Sequence, residues 1–105
     1  MFVENGGYTM NTYKTNPESF IEKANILKAL AHPVRLCIVK TLCENEYSNV
    51  TDMQSCLGEA QSTISQHVSR LRAANIITGR REGTKIYYSI ANERVRKLLE
   101  VLMRS

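Results

Sequence analysis

The stretch "EAQSTISQHVSRLRAANIITGRREGTKIYYSI", residues 59–90, decides the fold. Its first half sets Ile64, Val68 and Leu71 at i, i+4 and i+7, one apolar line along a helix. At about 100° per residue the opposite side carries Ser62, Gln66 and Ser69, flanked by Thr63, Ser65 and Arg70. A helix whose wet face served only solubility would favour Glu, Lys and Ala, which form helices better than Ser, Thr and His do. This face instead offers donors and acceptors and no acid, the composition of a surface that another molecule reads. The second half of the stretch alternates as a strand, bends at Glu82-Gly83-Thr84, and returns with Ile86, Tyr88 and Ile90 on one face. That is the pattern of a β-hairpin.

Upstream, "VTDMQSCLG" (residues 50–58) places Val50, Met53 and Leu57 on one helical face, with Gly58 as a stop signal. Short helix, break, polar helix, hairpin is the order of a helix-turn-helix followed by a wing. Two helices precede this unit. "PESFIEKANILKALAH" begins with Pro17 in its first turn and aligns Phe20, Ala24, Leu27 and Ala31, with Ile21 and Lys28 beside them. "HPVRLCIVKTLCEN" starts at Pro33 and is apolar almost all round through Val34, Leu36, Cys37, Ile38, Val39, Leu42 and Cys43, which predicts a central helix. At the C-terminal end "ANERVRKLLEVLMRS" aligns Val95, Leu98, Leu99 and Leu102 on a strongly amphipathic helix that needs cover. Residues 1–15 show no periodicity and are expected to form a flexible tail, with residues 16–105 as one folded domain.

Charge is distributed unevenly. Residues 1–60 hold five basic and seven acidic side chains. Residues 61–85 hold Arg70, Arg72, Arg80, Arg81 and Lys85 against Glu82 alone. The basic stretch therefore coincides with the polar helix and the hairpin, and a phosphate backbone is the natural counterpart of such a patch. No apolar run approaches the roughly 20 residues that cross a bilayer. The N-terminal residues lack the basic start and apolar core of a secretory signal, so a cytoplasmic location is expected. Three cysteines, Cys37, Cys43 and Cys56, are an odd set with no export signal beside them, which argues against a disulfide framework.

The segment from about Ala24 to Met103 resembles the ArsR/SmtB family of winged-helix repressors. The pieces that carry the resemblance are "LKALAHPVRLCIV", "QSTISQHVSRLRAANII" and "REGTKIYYSI", in that order. The wording "QSTISQH" and "IYYSI" is most similar to the metal-independent, PagR-like branch of that family. The resemblance implies a mainly α winged helix-turn-helix with a small β-hairpin, in the order helix, helix, helix, helix, strand, strand, helix. It also implies a cytoplasmic homodimer, built through the first and last helices, that binds double-stranded DNA at an imperfect palindromic operator.

For the interface between protomers the resemblance and the pattern together point to Phe20, Leu27, Val95, Leu98 and Leu102. The family pattern assigns base reading to Gln61, Ser62, Ser65 and Gln66, with Thr63 and Ser69 on the same face. Gln66 is the leading candidate, because glutamine can pair bidentately with adenine. Arg70, Arg81 and Lys85 are expected to clamp phosphates, whereas Arg80 reads equally well as a structural strand residue. His67 lies about 60° from the apolar line, which predicts a half-buried, hydrogen-bonded ring, with DNA contact as the alternative. His32, before Pro33, is expected to cap or pack the second helix.

One departure concerns Ala60, at a position where family members often carry a capping serine. Either Glu59 substitutes for the cap or the recognition helix begins without one. The family's metal sites find no counterpart: Asn49 and Thr51 stand where one thiolate site would need cysteines, and residues 91–105 contain no histidine. No metal or cofactor is expected. Two alternatives remain open in the sequence. One is a repressor that responds to oxidants or persulfides through Cys43 and Cys56. The other is a winged helix used as a protein-interaction module. An enzyme is not expected, since neither histidine has a sequence-evident catalytic partner and no phosphate-cradling loop is present.

Overall fold

A computed structural model describes residues 12–104. The expected tail over residues 1–11 lies outside the described residues. Residues 12–15 form a turn: the backbone N–H of Thr12 donates to the Thr15 hydroxyl at 3.0 Å and that of Thr15 to the Thr12 hydroxyl at 3.1 Å. From there the chain runs α1 (Pro17–Leu30), α2 (Pro33–Asn45), α3 (Val50–Leu57), α4 (Gln61–Ala73), β1 (Ile77–Glu82), β2 (Lys85–Ile90) and α5 (Glu93–Leu102). This is the winged helix-turn-helix order that the sequence predicts.

Each helix boundary has a local cause. Asn16 caps α1 by accepting from the Ser19 N–H, and Pro17 occupies the first helical position, where its missing N–H costs nothing. His32 caps α2, its Nδ1 accepting from the Val34 N–H at 3.1 Å. Asn49 caps α3 through the Asp52 N–H at 2.8 Å, and Gly58 ends that helix in the left-handed region at φ +69°. Asn92 caps α5 by accepting from Arg94 and Val95. Helix α4 closes through a Schellman motif. The Ile76 N–H returns to the Leu71 carbonyl at 3.0 Å and the Asn75 N–H to Arg72 at 2.9 Å, with Asn75 itself at φ +60°. Ile76 and Leu71, the hydrophobic pair of that motif, are both fully buried.

The core gathers Ile38, Val39 and Leu42 of α2, Met53 of α3, Ile64, Val68 and Leu71 of α4, Ile76, Ile77, Tyr88, and Val95 and Leu99 of α5. From α1 it takes Ala29 and Leu30, with Ile26 packed beside them. The expected stripe of α1, including Phe20, Ala24 and Leu27, is left exposed instead. Helix α2 is central, yet not covered all round: Cys37 faces solvent and Arg35 is buried.

The hairpin pairs Ile77 with Ile90 through to Glu82 with Lys85, joined by a two-residue loop. Gly83 takes φ +65° at the first loop position, the arrangement of a type II′ hairpin turn. A third strand position goes unforeseen by the sequence pattern. Ser48, between α2 and α3, bridges to Tyr88 with backbone hydrogen bonds of 3.0 and 2.8 Å, and so anchors the wing to the helical layer.

Candidate nucleic-acid interface

The outward face of α4 is polar and continuous. Ile64, Val68 and Leu71 point into the core, which fixes the rotation of the helix and leaves Gln61, Ser62, Ser65, Gln66, Ser69 and Arg70 exposed. Thr63 is half-buried at the edge of this face. Ala60, at the N-cap position, makes no side-chain hydrogen bond to the first turn, so Glu59 does not replace the missing cap. Among the described residues no side chain caps the opening N–H groups of α4, in contrast with those of α1, α2, α3 and α5, which suits them to meet an anion.

The wing supplies the neighbouring charge. Arg81 and Lys85 are exposed, and among the described residues no carboxylate stands within ion-pair distance of them or of Arg70. Arg80 is committed differently: it pairs with Glu82 two residues along the same face of β1. Arg72 holds its guanidinium 5.8 Å from the centre of the Tyr88 ring, a cation–π contact that ties the end of α4 to β2.

Both histidines take structural positions. His67 is half-buried, with its Nδ1 3.2 Å from the Arg35 guanidinium, and its ring lies 4.4 Å from that of His32 at an angle of 43°. Burial lowers the His67 pKa, as do His32, Arg35 and Arg70, while Glu59 opposes them. Arg35 is the residue that the sequence reading missed. It shares the i, i+3, i+4, i+7 line of Ile38, Val39 and Leu42, and that spacing already carried the signal that it points inward.

The residues expected between protomers divide. Phe20, Leu27, Leu98 and Leu102 are exposed, joined by Ile21 and Val101. Val95 does not belong with them: only 2% exposed, it packs inside its own chain, because the face of α5 that carries Val95 and Leu99 is the one turned to the core. Helices α1 and α5 border a shared groove of about 580 Å³, lined by Ile26, Leu27, Val95 and Leu98 with charged residues at its rim.

The cysteines differ in exposure. Cys43 faces α5 in a shallow recess with Leu99, Glu100 and Met103, whereas Cys56 is exposed on α3. Burial pushes the Cys43 thiol up, against a smaller opposing pull from Arg96, and Glu100, Glu44 and Glu93 add to the rise. Among the described residues no three His, Cys, Asp or Glu side chains gather as a metal-ligating group.

A family model described as bacterial regulatory protein, arsR family, matches residues 32–78, the span from the α2 cap through the recognition helix into β1. The transcriptional repressor PagR of Bacillus anthracis is 38% identical over 86% of this chain and 90% of its own. The chain belongs to the ArsR family. Its backbone agrees with the PagR crystal structure at a TM-score of 0.76, covering 82% of this chain and 98% of that one. A biofilm growth-associated repressor of Agrobacterium fabrum is 41% identical over 77% of this chain and 68% of its own. A homodimeric winged helix-turn-helix DNA-binding domain from Mycobacterium bovis, 29% identical, gives a TM-score of 0.77 over 90% of this chain and 84% of that one. ArsR-family membership makes this a transcriptional regulator. Among its described residues no helix is long and apolar enough to cross a membrane.

Proposed function

We propose that this ArsR-family protein is a repressor that binds an imperfect palindromic operator as a cytoplasmic homodimer and requires no metal for it. Residues 16–105 form the unit that binds DNA and dimerises, with residues 1–15 as its tail. The observation that carries the reading is the exposed, acid-free face of α4 with Arg70, together with Arg81 and Lys85 of the wing, three cations that have no ion-pair partner among the described residues. In the major groove, Gln61, Ser62, Ser65 and Gln66 read base edges, with Thr63 and Ser69 at the margin of the contact. Arg70 and the wing residues Arg81 and Lys85 hold phosphates. The uncapped first-turn N–H groups of α4 suit a phosphate as well.

Dimerisation is supported by the apolar side chains that one protomer leaves open on α1 and α5, namely Phe20, Ile21, Leu27, Leu98, Val101 and Leu102. A two-fold axis through such an interface presents two copies of α4 about one helical turn of DNA apart, which is why the operator is palindromic.

The test is binding of the metal-free, reduced protein to duplex DNA from upstream of its own gene, against a scrambled duplex, over a range of salt. Selective binding that weakens steeply with salt is the expected result. Equal affinity for both duplexes, or a flat salt response, would sink the reading and favour a protein-interaction module.

A further inference from the structure

Arg35 is a buried cation. It is 9% exposed, and among the described residues no acidic side chain lies within ion-pair distance. Its Nε donates to the Ala29 carbonyl at the end of α1, and its guanidinium reaches the Nδ1 of His67 at 3.2 Å. A guanidinium has donors only, so His67 must accept with a lone pair on Nδ1 and keep its proton on Nε2. The adjacent His32 accepts from the Val34 N–H through its own Nδ1, so its proton also sits on Nε2. One guanidinium and two adjacent, mutually tilted imidazoles thus join the end of α1, the start of α2 and the middle of α4.

We propose that Arg35 is a positioning residue for DNA recognition, holding α4 at its reading angle through His67, and that protonation of His67 releases this hold. The proposal rests on the DNA-binding function given above. His67 stands between Gln66, which faces outward, and Val68, which is buried, so a shift of its ring moves the residues placed to read bases. Among the described residues, Arg35 to His67 is the only side-chain hydrogen bond from α4 to another element, and the start of α4 has no cap to share the task.

The groups around His67 make its charged form unwelcome. His32 and Arg35 face it from the start of α2, Arg70 from its own helix, and Glu59 from the preceding loop, the last alone favouring an imidazolium. Acid must therefore charge a ring beside a fixed guanidinium and remove the lone pair that this guanidinium uses. The folded protein holds His67 below the ordinary histidine value of about 6.5. The hold is complete above that value and fades as pH falls from it through the folded pKa. A His67 that touched phosphate directly would show the opposite sign, binding more tightly in acid.

The pH profile of operator affinity, from about pH 8 to about pH 5.5, separates these cases for the wild type and His67→Gln. The wild type is expected to lose affinity in acid, by up to about tenfold per pH unit for the linked proton of each protomer. His67→Gln keeps an acceptor that does not titrate, so most of that loss should disappear. His67→Leu, which fills the space without an acceptor, should bind more weakly across the range while remaining folded by circular dichroism. Parallel profiles for the wild type and His67→Gln, or tighter wild-type binding in acid, would overturn the proposal while leaving DNA binding intact. Absence of duplex binding at every pH would overturn the DNA-binding function itself, and this inference with it.

Discussion

Gly79 stands opposite Tyr88 in the hairpin, and a Cβ on Gly79 would lie 2.9 Å from Cε1 of the tyrosine ring. The same atom would meet Cγ2 of Ile86 at 3.0 Å. Tyr88 has little room to retreat, since its backbone is bridged to Ser48 and Arg72 lies over its ring. Gly79→Ala should therefore destabilise the fold by about 1–3 kcal/mol, the usual cost of overpacking. Urea unfolding measures this, and an unchanged midpoint would mean that the ring yields freely.

Base reading and phosphate clamping should separate in mutants. Gln66→Ala is expected to lose about 1–3 kcal/mol of discrimination at one base step. Arg81→Ala and Lys85→Ala should weaken all duplexes together and each reduce the salt slope by about 1. Arg80→Ala should do less, because its partner is Glu82. Competition against single-substitution operator variants at two salt concentrations distinguishes the classes. An unaltered ranking in Gln66→Ala removes that residue from the reading set.

Oligomeric state should respond to the exposed leucines and not to the buried valine. Leu27→Glu and Leu102→Glu place charges on side chains that are 58% exposed in one protomer, so they should yield folded monomers. Val95→Ala, inside the core, should leave the dimer in place and cost about 1–3 kcal/mol of stability. Sedimentation and thermal unfolding read the two effects. A persistent dimer in both glutamate variants would move the interface elsewhere.

Ala60→Ser supplies the side-chain acceptor that α4 lacks. In the absence of DNA it should stabilise the protein by about 1 kcal/mol, the common value of an N-cap. No gain in chemical denaturation would show that those first-turn donors are already satisfied.

Thiol chemistry should favour the exposed cysteines. Cys37 and Cys56 are open to solvent, whereas the partly buried Cys43 holds its proton more firmly than an ordinary thiol. A short alkylation pulse followed by mass spectrometry should label Cys37 and Cys56 first. Labelling of Cys43 ahead of them would favour a switch through that residue.

Periodicity made the helices and the hairpin legible before the structure, because each buries one face and its spacing records which. The Ile64, Val68 and Leu71 line placed the polar face of α4 outward, and all three residues are buried. The Ser48 bridge left no such trace, since a single paired residue has no alternation to read. Arg35 was hidden for another reason: charge implies solvent, although its position on the line of Ile38 and Leu42 implied the core. In α5, Leu98 and Leu102 lie about 60° round the helix from Val95 and Leu99. Sequence shows that both stripes are apolar, but only packing reveals that the chain itself covers one of them. The missing cap at Ala60 was visible in the sequence, while the behaviour of Glu59 required coordinates.

Only Ala74, Asn75 and Ile76 separate α4 from β1, and they are locked by the closing hydrogen bonds of the helix and by the burial of Ile76. The recognition helix and the wing therefore behave as the two arms of a set square. In the DNA complex proposed above, the distance between the bases under Gln66 and the phosphates under Lys85 becomes a fixed ruler. A base pair inserted within a half-site has no joint in the protein to absorb it, while one inserted between half-sites must be met by turning one protomer against the other.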